Sequence, residues 1–439
     1  MEANTNPNQR WTRRAISILA GISLTLPLGC TGTSESSAPG GDRLEFWTMQ
    51  LQPQFTDYFN QRIDTFEADR PEVEVQWTDV PWSAMESKIL TAVSAQTAPD
   101  AVNLNPNFAA LLAGRQAWLD LDDRISEQIR QQYLPNLWEA NAFETCDDTG
   151  CETSTFGIPW YLSTRVVIYN TDLFEQAGIE QPPATYPELA QVAKQVYEQT
   201  GKYAFFVTLA PGDSAEVLES MVQMGVRLLD EEGKAAFNTP EGKAAFEYWV
   251  NLYRDGLLPR ESLTQGHRRA IELYQAGEIA LLASGPQFFQ TIAQNAPNIA
   301  QVSEAAPQIT GKTGKKTVAV MNLVIPKNSD RPEDAIEFAL FLTNAENQLA
   351  FAKQAKVLPS AKAALADPYF QTIAEQGTQV EKALAIGAQQ LEDAEVLLPM
   401  RDDINELQRI IYDNLQAAML EEKTVEAAIA DAEQQWNNR

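Results

Sequence analysis

The chain has a single histidine, three cysteines and few basic residues for its length. One histidine excludes metal sites built from several imidazoles. A Ser–His–Asp arrangement would need His267, which lies beside two arginines in "TQGHRRAIELY" and is expected to be an exposed side chain at a helix start. A pair of carboxylates that hydrolyses glycosides is not excluded, because a chain with 60 acidic residues always contains some candidate pair. No metal and no cofactor are expected.

Positive charge is also scarce. The chain carries 33 Lys and Arg against 60 Asp and Glu, a formal net charge of −27. Such a chain repels phosphate backbones, so we expect no nucleic-acid partner. The acidic residues are spread along the sequence without long blocks, as on a solvated surface.

Long apolar runs are missing as well. Ala15–Leu28 is an apolar stretch of 14 residues that follows a basic segment containing Arg13 and Arg14. A helix that spans a bilayer needs about 20 apolar residues. A basic segment, a short apolar run and the small residue Gly29 before Cys30 are instead typical of a secretory signal peptide.

The end of this segment resembles a bacterial lipoprotein signal, in which the cysteine becomes the lipidated N-terminus. Residues 1–29 are then a signal peptide, Cys30 carries the lipid, and the Ser- and Gly-rich residues 30–42 are a flexible tether. Pro27 stands where the pattern favours Leu, so a cleaved signal without lipid is the alternative. Because the arginine pair is also found in twin-arginine signals, the export route stays open. The expected location is the membrane surface, facing the periplasm or the cell exterior.

The other two cysteines, Cys146 and Cys151, lie in "CDDTGC". The residues between them are typical of a turn. An oxidising compartment favours a small disulfide loop, and a metal site would need more ligands than two cysteines. The sequence therefore predicts a disulfide between Cys146 and Cys151.

Strands and helices alternate at the start of the mature chain. The stretches "RLEFWTMQ", "PEVEVQWTDVPW" and "APDAVNLNP" predict strands, and 55–68 and 83–95 predict helices between them. This order predicts an α/β fold with an open parallel sheet covered by helices. Ligands bind beyond the carboxyl ends of such strands, which places Trp47, Gln50, Trp82 and Asn105 among the candidates.

Four later segments resemble family 1 extracellular solute-binding proteins, the sugar-binding components of ABC importers that include maltose-binding and glycerol-3-phosphate-binding proteins. They are "GIPWYLSTRVVIYNTDLFEQAGIEQPPATYPEL", "FNTPEGKAAFEYWVNLYRDGLLP", "YQAGEIALLASGP" and "AVMNLVIPKNSDRPEDAIEFALFLTNAENQLAFAKQAKVLPS". The resemblance implies two discontinuous α/β lobes joined by a hinge, with solute bound in the cleft. The lobes it implies are 43–163 plus 304–326 and 164–303 plus 327–439. The crossings it implies lie near Tyr161–Val166, Val302–Ala306 and Ile325–Asn328.

Sugars present flat apolar faces and a rim of hydroxyls, so a sugar site needs aromatic rings and polar side chains. Trp160, beside the first crossing, is the preferred aromatic candidate. The resemblance implies that Ser163, Gln287 and Asn105 stand near positions where maltose-binding relatives hold sugar. It also implies that Arg401 resembles an anion-binding arginine, with an ion pair to a neighbouring aspartate as the alternative. The full candidate set is Trp47, Gln50, Trp82, Asn105, Trp160, Tyr161, Ser163, Asp213, Gly285, Gln287, Asn322 and Arg401.

The resemblance implies a non-enzymatic function, the capture of a small carbohydrate for an ABC permease. A disaccharide or a glycosylglycerol is favoured over a long dextrin, because Gln287 replaces an aromatic platform. The alternatives are a glycerol phosphodiester or other polyol, a solute sensor subunit, and a lipid-anchored glycosidase. The expected partners are the permease subunits and, through the lipid, the membrane; the chain is expected to be a monomer.

Overall fold

The computed structural model describes residues 43–147, 150–210, 213–398 and 400–439, and their side chains except at 107 and 144–152. The predicted signal peptide, Cys30 and the tether lie outside these residues. The side chains of the predicted disulfide also lie outside them; the backbone register places Cys146 opposite Cys151 in a hairpin. Within the described ranges, no helix is long and apolar enough to cross a membrane.

The strands are short and spread over most of the chain. In order they are β1 (Arg43–Met49), β2 (Glu74–Val80), β3 (Ala101–Leu104), β4 (Ala142–Asp147), β5 (Gly150–Thr155), β6 (Gly157–Thr164), β7 (Val166–Asn170), β8 (Leu281–Ser284), β9 (Ser303–Pro307), β10 (Lys316–Val324), β11 (Leu358–Pro359) and β12 (Ala394–Glu395).

Helices fill the intervals. They are α1 (Thr56–Asp69), α2 (Trp82–Ser94), α3 (Pro106–Ala113), α4 (Glu127–Arg130), α5 (Pro135–Glu139), α6 (Thr171–Ala177), α7 (Tyr186–Thr200), α8 (Glu216–Gln223), α9 (Pro240–Arg254), α10 (His267–Gln275), α11 (Phe288–Asn295), α12 (Pro297–Gln301), α13 (Pro332–Leu342), α14 (Ala345–Ala355), α15 (Lys362–Leu365), α16 (Tyr369–Gln376), α17 (Gln379–Gln390), α18 (Ile404–Met419) and α19 (Val425–Asn437), with 3₁₀ turns at Arg260–Leu263 and Leu391–Asp393.

The first lobe is built on a seven-stranded sheet ordered β11-β6-β10-β3-β1-β2, with β12 beside β10. β1 is parallel to both β2 and β3, which confirms the predicted strand–helix–strand–helix–strand start. β10 runs antiparallel between β3 and β6. The middle of this sheet therefore comes from a strand far along the chain.

The second lobe contains a three-stranded antiparallel sheet ordered β8-β7-β9. β6 ends at Thr164 and β7 begins at Val166, so Arg165 is the one residue between the two sheets. Arg165 lies within the span Tyr161–Val166 that was expected for the first crossing. β9 ends at Pro307 in the second sheet and β10 begins at Lys316 in the first, so the second crossing lies a few residues later than predicted.

The expected third crossing near Ile325–Asn328, with 327–439 in the second lobe, does not match the packing. Helices α13 and α14 lie in the first lobe, where the ring of Phe338 packs 5.2 Å from Phe46 and 5.0 Å from Phe66. β10 sits in the middle of the first sheet, so the chain that leaves it still belongs to that lobe. The largest core cluster of the second lobe contains no described residue between Ile309 and Leu398 and takes up the chain again at α18 and α19.

Helix α17 contacts both lobes. Leu384 packs with Leu162 in a core cluster of the first lobe. One residue earlier, Ala383 packs with Ile168 in a cluster of the second lobe. This helix therefore forms a third connection, beside the two strand crossings, where the lobes meet.

Candidate functional site

A cleft of about 620 Å³ lies between the lobes. Its floor is formed by Ser163–Arg165 at the first crossing and by Thr317 and Ala319 on β10. Trp82, at the start of α2, forms the first-lobe wall. The second lobe contributes Asp213, Ser214, Glu219, His267, Ala283, Ser284, Gly285, Gln287 and Phe288.

A narrower recess of about 240 Å³ continues from the cleft. It shares Asp213, Glu219, Thr317 and Ala319 with the main cleft. Its other polar side chains are the amides of Asn105, Asn405 and Gln408. The main cleft is thus lined mainly by hydroxyls, amides and carboxylates with two aromatic rings, whereas most of the residues around the recess are apolar.

Arg165 is the charged centre of the floor. Its guanidinium donates to Glu216 at 3.0 Å and to the Ser214 hydroxyl at 2.9 Å, and it lies 3.4 Å from Glu219. The side chains of this group are mostly buried, with 27% of Arg165 exposed and 15% and 17% of the two glutamates. Two carboxylates therefore neutralise the arginine before any solute enters.

Both glutamates have further partners. Glu216 accepts from the Thr208 amide at 2.7 Å; burial raises the pKa of this carboxyl group, and the nearby Arg165 opposes the shift. Glu219 accepts from the Thr317 hydroxyl at 3.0 Å. Since Glu219 lies on second-lobe helix α8 and Thr317 on first-lobe strand β10, this hydrogen bond joins the two lobes at the cleft floor.

His267 is a site residue that sequence reasoning missed. Its Nε2 lies 3.0 Å from the Ser284 hydroxyl, and its ring is edge-on to Phe288 at 6.1 Å. Burial, together with the Arg165 charge, lowers the pKa of this imidazole to about 4. The ring is therefore neutral at neutral pH and offers the cleft a hydrogen-bonding group without a charge.

Asp213 is held in a defined orientation on the second-lobe wall. Its Oδ1 accepts from the backbone amides of Ser214 and His267, each at 2.8 Å. The side chain is exposed and borders both the cleft and the recess. An exposed carboxylate fixed by two amides is well placed to accept hydrogen bonds from solute hydroxyls.

Six of the predicted residues reach the site. Trp82, with 44% of its surface exposed, is the open aromatic face. Gln50 lies beside it, with its side-chain oxygen 3.4 Å from the Trp82 amide, but is outside the lining. The predicted residues that line the cleft or recess are Trp82, Asn105, Ser163, Asp213, Gly285 and Gln287.

Trp160, the preferred aromatic candidate, lies in the first-lobe core and is fully buried. It stacks on Phe351 with ring centroids 5.5 Å apart, and Tyr161 packs against the same phenylalanine at 5.3 Å. β6 lies between β10 and β11, and both of its faces are packed: Trp160 belongs to one core cluster of the first lobe, and the partly buried Tyr161 also packs against a second. The cleft begins only at Ser163.

Three other candidates also lie away from the cleft. Trp47 is 8% exposed, and the Lys88 ammonium covers its ring at 3.9 Å. Asn322 is fully buried and accepts a hydrogen bond from Asn141 at 2.9 Å. Arg401 is engaged by both oxygens of Asp403, at 2.8 and 3.1 Å, which is the ion pair considered as the alternative to anion binding.

The residues that sequence reasoning missed share one property. Arg165, Ser214, Glu219, Ser284 and Thr317 belong to segments that meet only in the folded chain. The signal that could have found Arg165 was its place next to Ser163, at the predicted crossing. The acidic pair on α8 had no local signal, because glutamates three residues apart on a helix are common on solvated surfaces.

Comparison with known proteins gives one family. The chain matches the model of bacterial extracellular solute-binding proteins over residues 52–349. A proposed oligosaccharide periplasmic-binding protein from Synechococcus sp. MITs9220, solved in complex with zinc, is 46% identical with a TM-score of 0.81, and the match covers 90% of this chain and 98% of that one. The described ranges of the present chain contain no group of three or more His, Cys, Asp or Glu side chains that could hold a metal ion.

More distant relatives also match over most of the length of both chains. The cyclic alpha-maltosyl-1,6-maltose binding protein from Arthrobacter globiformis is 22% identical with a TM-score of 0.76, over 91% of this chain and 99% of that one, and shows the same two-lobed fold. An uncharacterised lipoprotein of Streptomyces antibioticus is 24% identical over 385 residues, which cover 85% of this chain and 82% of the relative.

Proposed function

Because the chain belongs to the bacterial extracellular solute-binding proteins, we propose that it captures a small neutral carbohydrate in the interlobe cleft and delivers it to an ABC permease. The observation that carries this proposal is the pairing of one open indole with a polar wall whose single arginine is already paired with carboxylates. Trp82 offers a face for a pyranose ring, and Asp213, Ser284 and the neighbouring amides offer partners for its hydroxyls. The names of the Synechococcus and Arthrobacter relatives support the same solute class.

The charge of the cleft favours a neutral solute over the phosphodiester alternative. Arg165 is paired with Glu216 and Glu219, and the low pKa of His267 keeps its ring uncharged. Among the described lining residues, no other side chain carries a positive charge. An anion entering this cleft would meet the net negative charge of Asp213 and the paired cluster.

The two compartments favour a short solute. The main cleft, at about 620 Å³, lies within the range of small-molecule sites, and the recess adds a second compartment of about 240 Å³ in which a few amides stand among mostly apolar side chains. Two linked units, one against Trp82 and one toward Asn105 and Asn405, fit this division. A disaccharide or a glycosylglycerol is therefore the proposed solute.

A thermal-shift panel tests the solute class. The panel contains disaccharides, glycosylglycerol, a long maltodextrin, mannitol and glycerophosphoglycerol. A solute present at 100 times its dissociation constant should stabilise the protein by about 2.7 kcal/mol. Stabilisation by the phosphodiester alone would contradict the proposal. Each glycoside that binds is expected to be recovered intact after incubation, whereas release of its sugar units would indicate a glycosidase.

Replacing Trp82 by alanine tests the aromatic contact. We expect affinity for the best panel solute to fall by one to two decades, or about 1–3 kcal/mol, with little change in the melting temperature, because the indole is 44% exposed. The matched control is Tyr197→Ala, which removes a ring of similar exposure, 41%, on second-lobe helix α7 away from the cleft. Equal affinities for the two variants would remove Trp82 from the site.

Lipid attachment at Cys30 remains part of the proposal, supported by the signal pattern and by the Streptomyces lipoprotein relative. An anchored protein meets its permease at a high local concentration. Mass spectrometry of the membrane fraction should show a mature chain that begins with a diacylated Cys30. A soluble product that begins at another residue would show that the signal is cleaved without lipid.

A further inference from the structure

Two buried glutamines join the segments that cross between the lobes. Gln390, at the end of α17, accepts from the backbone amide of Gln308 at 2.7 Å and donates to the backbone carbonyl of Arg165 at 3.3 Å. Arg165 is the first crossing, and Gln308 begins the second. One side chain, only 2% exposed, therefore ties together two chain segments that are more than 140 residues apart.

Gln308 extends this connection to β10. Its Oε1 accepts from the Thr317 amide at 2.8 Å, and its Nε2 donates to the Thr317 carbonyl at 3.2 Å. Both ends of the second crossing are thus held at a fixed separation. Since Thr317 and Arg165 line the cleft floor, the two glutamines hold the backbone of the residues that the solute meets.

The helix that carries Gln390 is fitted closely to this point. A Cβ atom at Gly387 would lie 2.6 Å from the Thr164 hydroxyl and 3.3 Å from Leu358. Only a residue without a side chain lets α17 approach the first crossing so closely. As α17 also packs into core clusters of both lobes, its position is set by the two lobes together.

We propose that Gln390 and Gln308 are positioning residues that form the pivot for lobe closure and hold Arg165 and Thr317 in register for solute binding. The proposal rests on the proposed function for its affinity readout and on the fold alone for its conformational readout. Without the pivot, the two crossings move independently and the lobes sample more relative orientations. A smaller fraction of the protein is then in the conformation that binds solute, and the apparent affinity for solute falls in proportion to that fraction.

The variant Gln390→Met removes both hydrogen bonds while keeping the length of the side chain. The matched control is Gln348→Met, because Gln348 is equally buried, at 2%, and bonds Thr343, Ser360 and Ala361 within the first lobe. Both variants lose buried hydrogen bonds and should lower the melting temperature. Only Gln390→Met should change the range of relative orientations that the two lobes adopt.

A second variant keeps the proposal testable if Gln390→Met folds poorly. Gly387→Ala leaves both glutamines in place and favours the helix itself, yet pushes α17 away from Thr164. It should produce the same loss of lobe register as Gln390→Met.

The experiment measures the distance between the lobes by pulsed electron resonance. Spin labels are introduced as non-canonical residues at the exposed positions Asp64 on α1 and Lys194 on α7, with the native cysteines intact. Without solute, Gln390→Met and Gly387→Ala should broaden the distance distribution, while Gln348→Met should match the wild type. Affinity for the best panel solute should fall about tenfold in the first two variants, through slower apparent association, and change less than twofold in the control.

Two results would overturn the inference. One is a distance distribution for Gln390→Met that matches the control, and the other is a gain in affinity, which would mean that the glutamines hold the lobes apart. If wild-type protein binds nothing in the panel, the proposed solute class fails. The distance distributions then still decide whether the glutamines form the pivot.

Discussion

Replacing Trp160 by alanine is expected to lower the free energy of unfolding by about 3–5 kcal/mol and to leave solute affinity of the folded protein unchanged. The indole is fully buried and packs against Phe351 and Phe59, with ring centroids 5.5 and 5.8 Å away. Its ring N–H has no partner among the described residues, so the loss comes from packing alone. Urea unfolding and calorimetric titration on the same preparation measure the two quantities.

Trp82→Ala provides the opposite pattern, a loss of affinity with little loss of stability. Trp160→Phe should lose less stability than Trp160→Ala, because a phenyl ring refills part of the space. A stable Trp160→Ala protein with a tenfold weaker affinity would contradict this assignment and return Trp160 to the site.

Replacing Arg165 by methionine is expected to destabilise the protein by about 2–4 kcal/mol at pH 7, because two largely buried glutamates lose their counter-ion. The figure is below that for a fully buried pair, since 27% of the arginine side chain is exposed. Burial already raises the pKa of Glu216, and Arg165 is the group that opposes this shift. Without the arginine, the folded-state pKa rises further above the unfolded value.

The pH dependence of this variant has a defined sign. A carboxyl group with a raised folded-state pKa binds more protons in the folded state than in the unfolded state. The stability that this group removes therefore grows as the pH rises from the unfolded-state pKa to the folded-state pKa. Arg165→Met should therefore regain stability, relative to wild type, between pH 7 and pH 5. The control is Arg409→Met, an exposed arginine paired with Glu406 and Asp413, which should change stability by less than about 0.5 kcal/mol at either pH. Equal losses for both variants would show that the Arg165 cluster contributes no more than a surface pair.

Periodicity and turn chemistry predicted the local elements well. The first three strands and the first two helices appear as expected. The first crossing, near Tyr161–Val166, was expected from the family resemblance of the segment that contains "WYLSTRVVIYN". These features depend on residues that are close in sequence.

The candidate site was predicted less well, because its residues depend on which face of an element meets the cleft. Trp160 and Ser163 lie three residues apart on one strand, yet one is core and the other is cleft floor. His267 was expected to be exposed beside two arginines, but its ring turns toward Ser284. Neither orientation follows from composition or spacing, since both are set by tertiary packing.

The lobe boundary after β10 shows the same limit. The sequence of an apolar helix such as α13 does not indicate which sheet the helix covers, and Phe338 could have packed in the core of either lobe. Its partners, Phe46 and Phe66, are more than 260 residues earlier in the chain.

The position of β10 between β3 and β6 has a consequence for how the chain is made. Leu104 and Ile158 find their neighbours on this sheet only when residues 316–324 are present. During synthesis the first lobe therefore has a gap in the middle of its sheet until about three quarters of the 439 residues have been translated. Pairing between such distant segments is slow, because a long loop must close before the contacts form. Until then the edges of β3 and β6 that later pair with β10 lack their partner. Open strand edges can pair with other chains, so the unfinished first lobe is most exposed to aggregation during this interval.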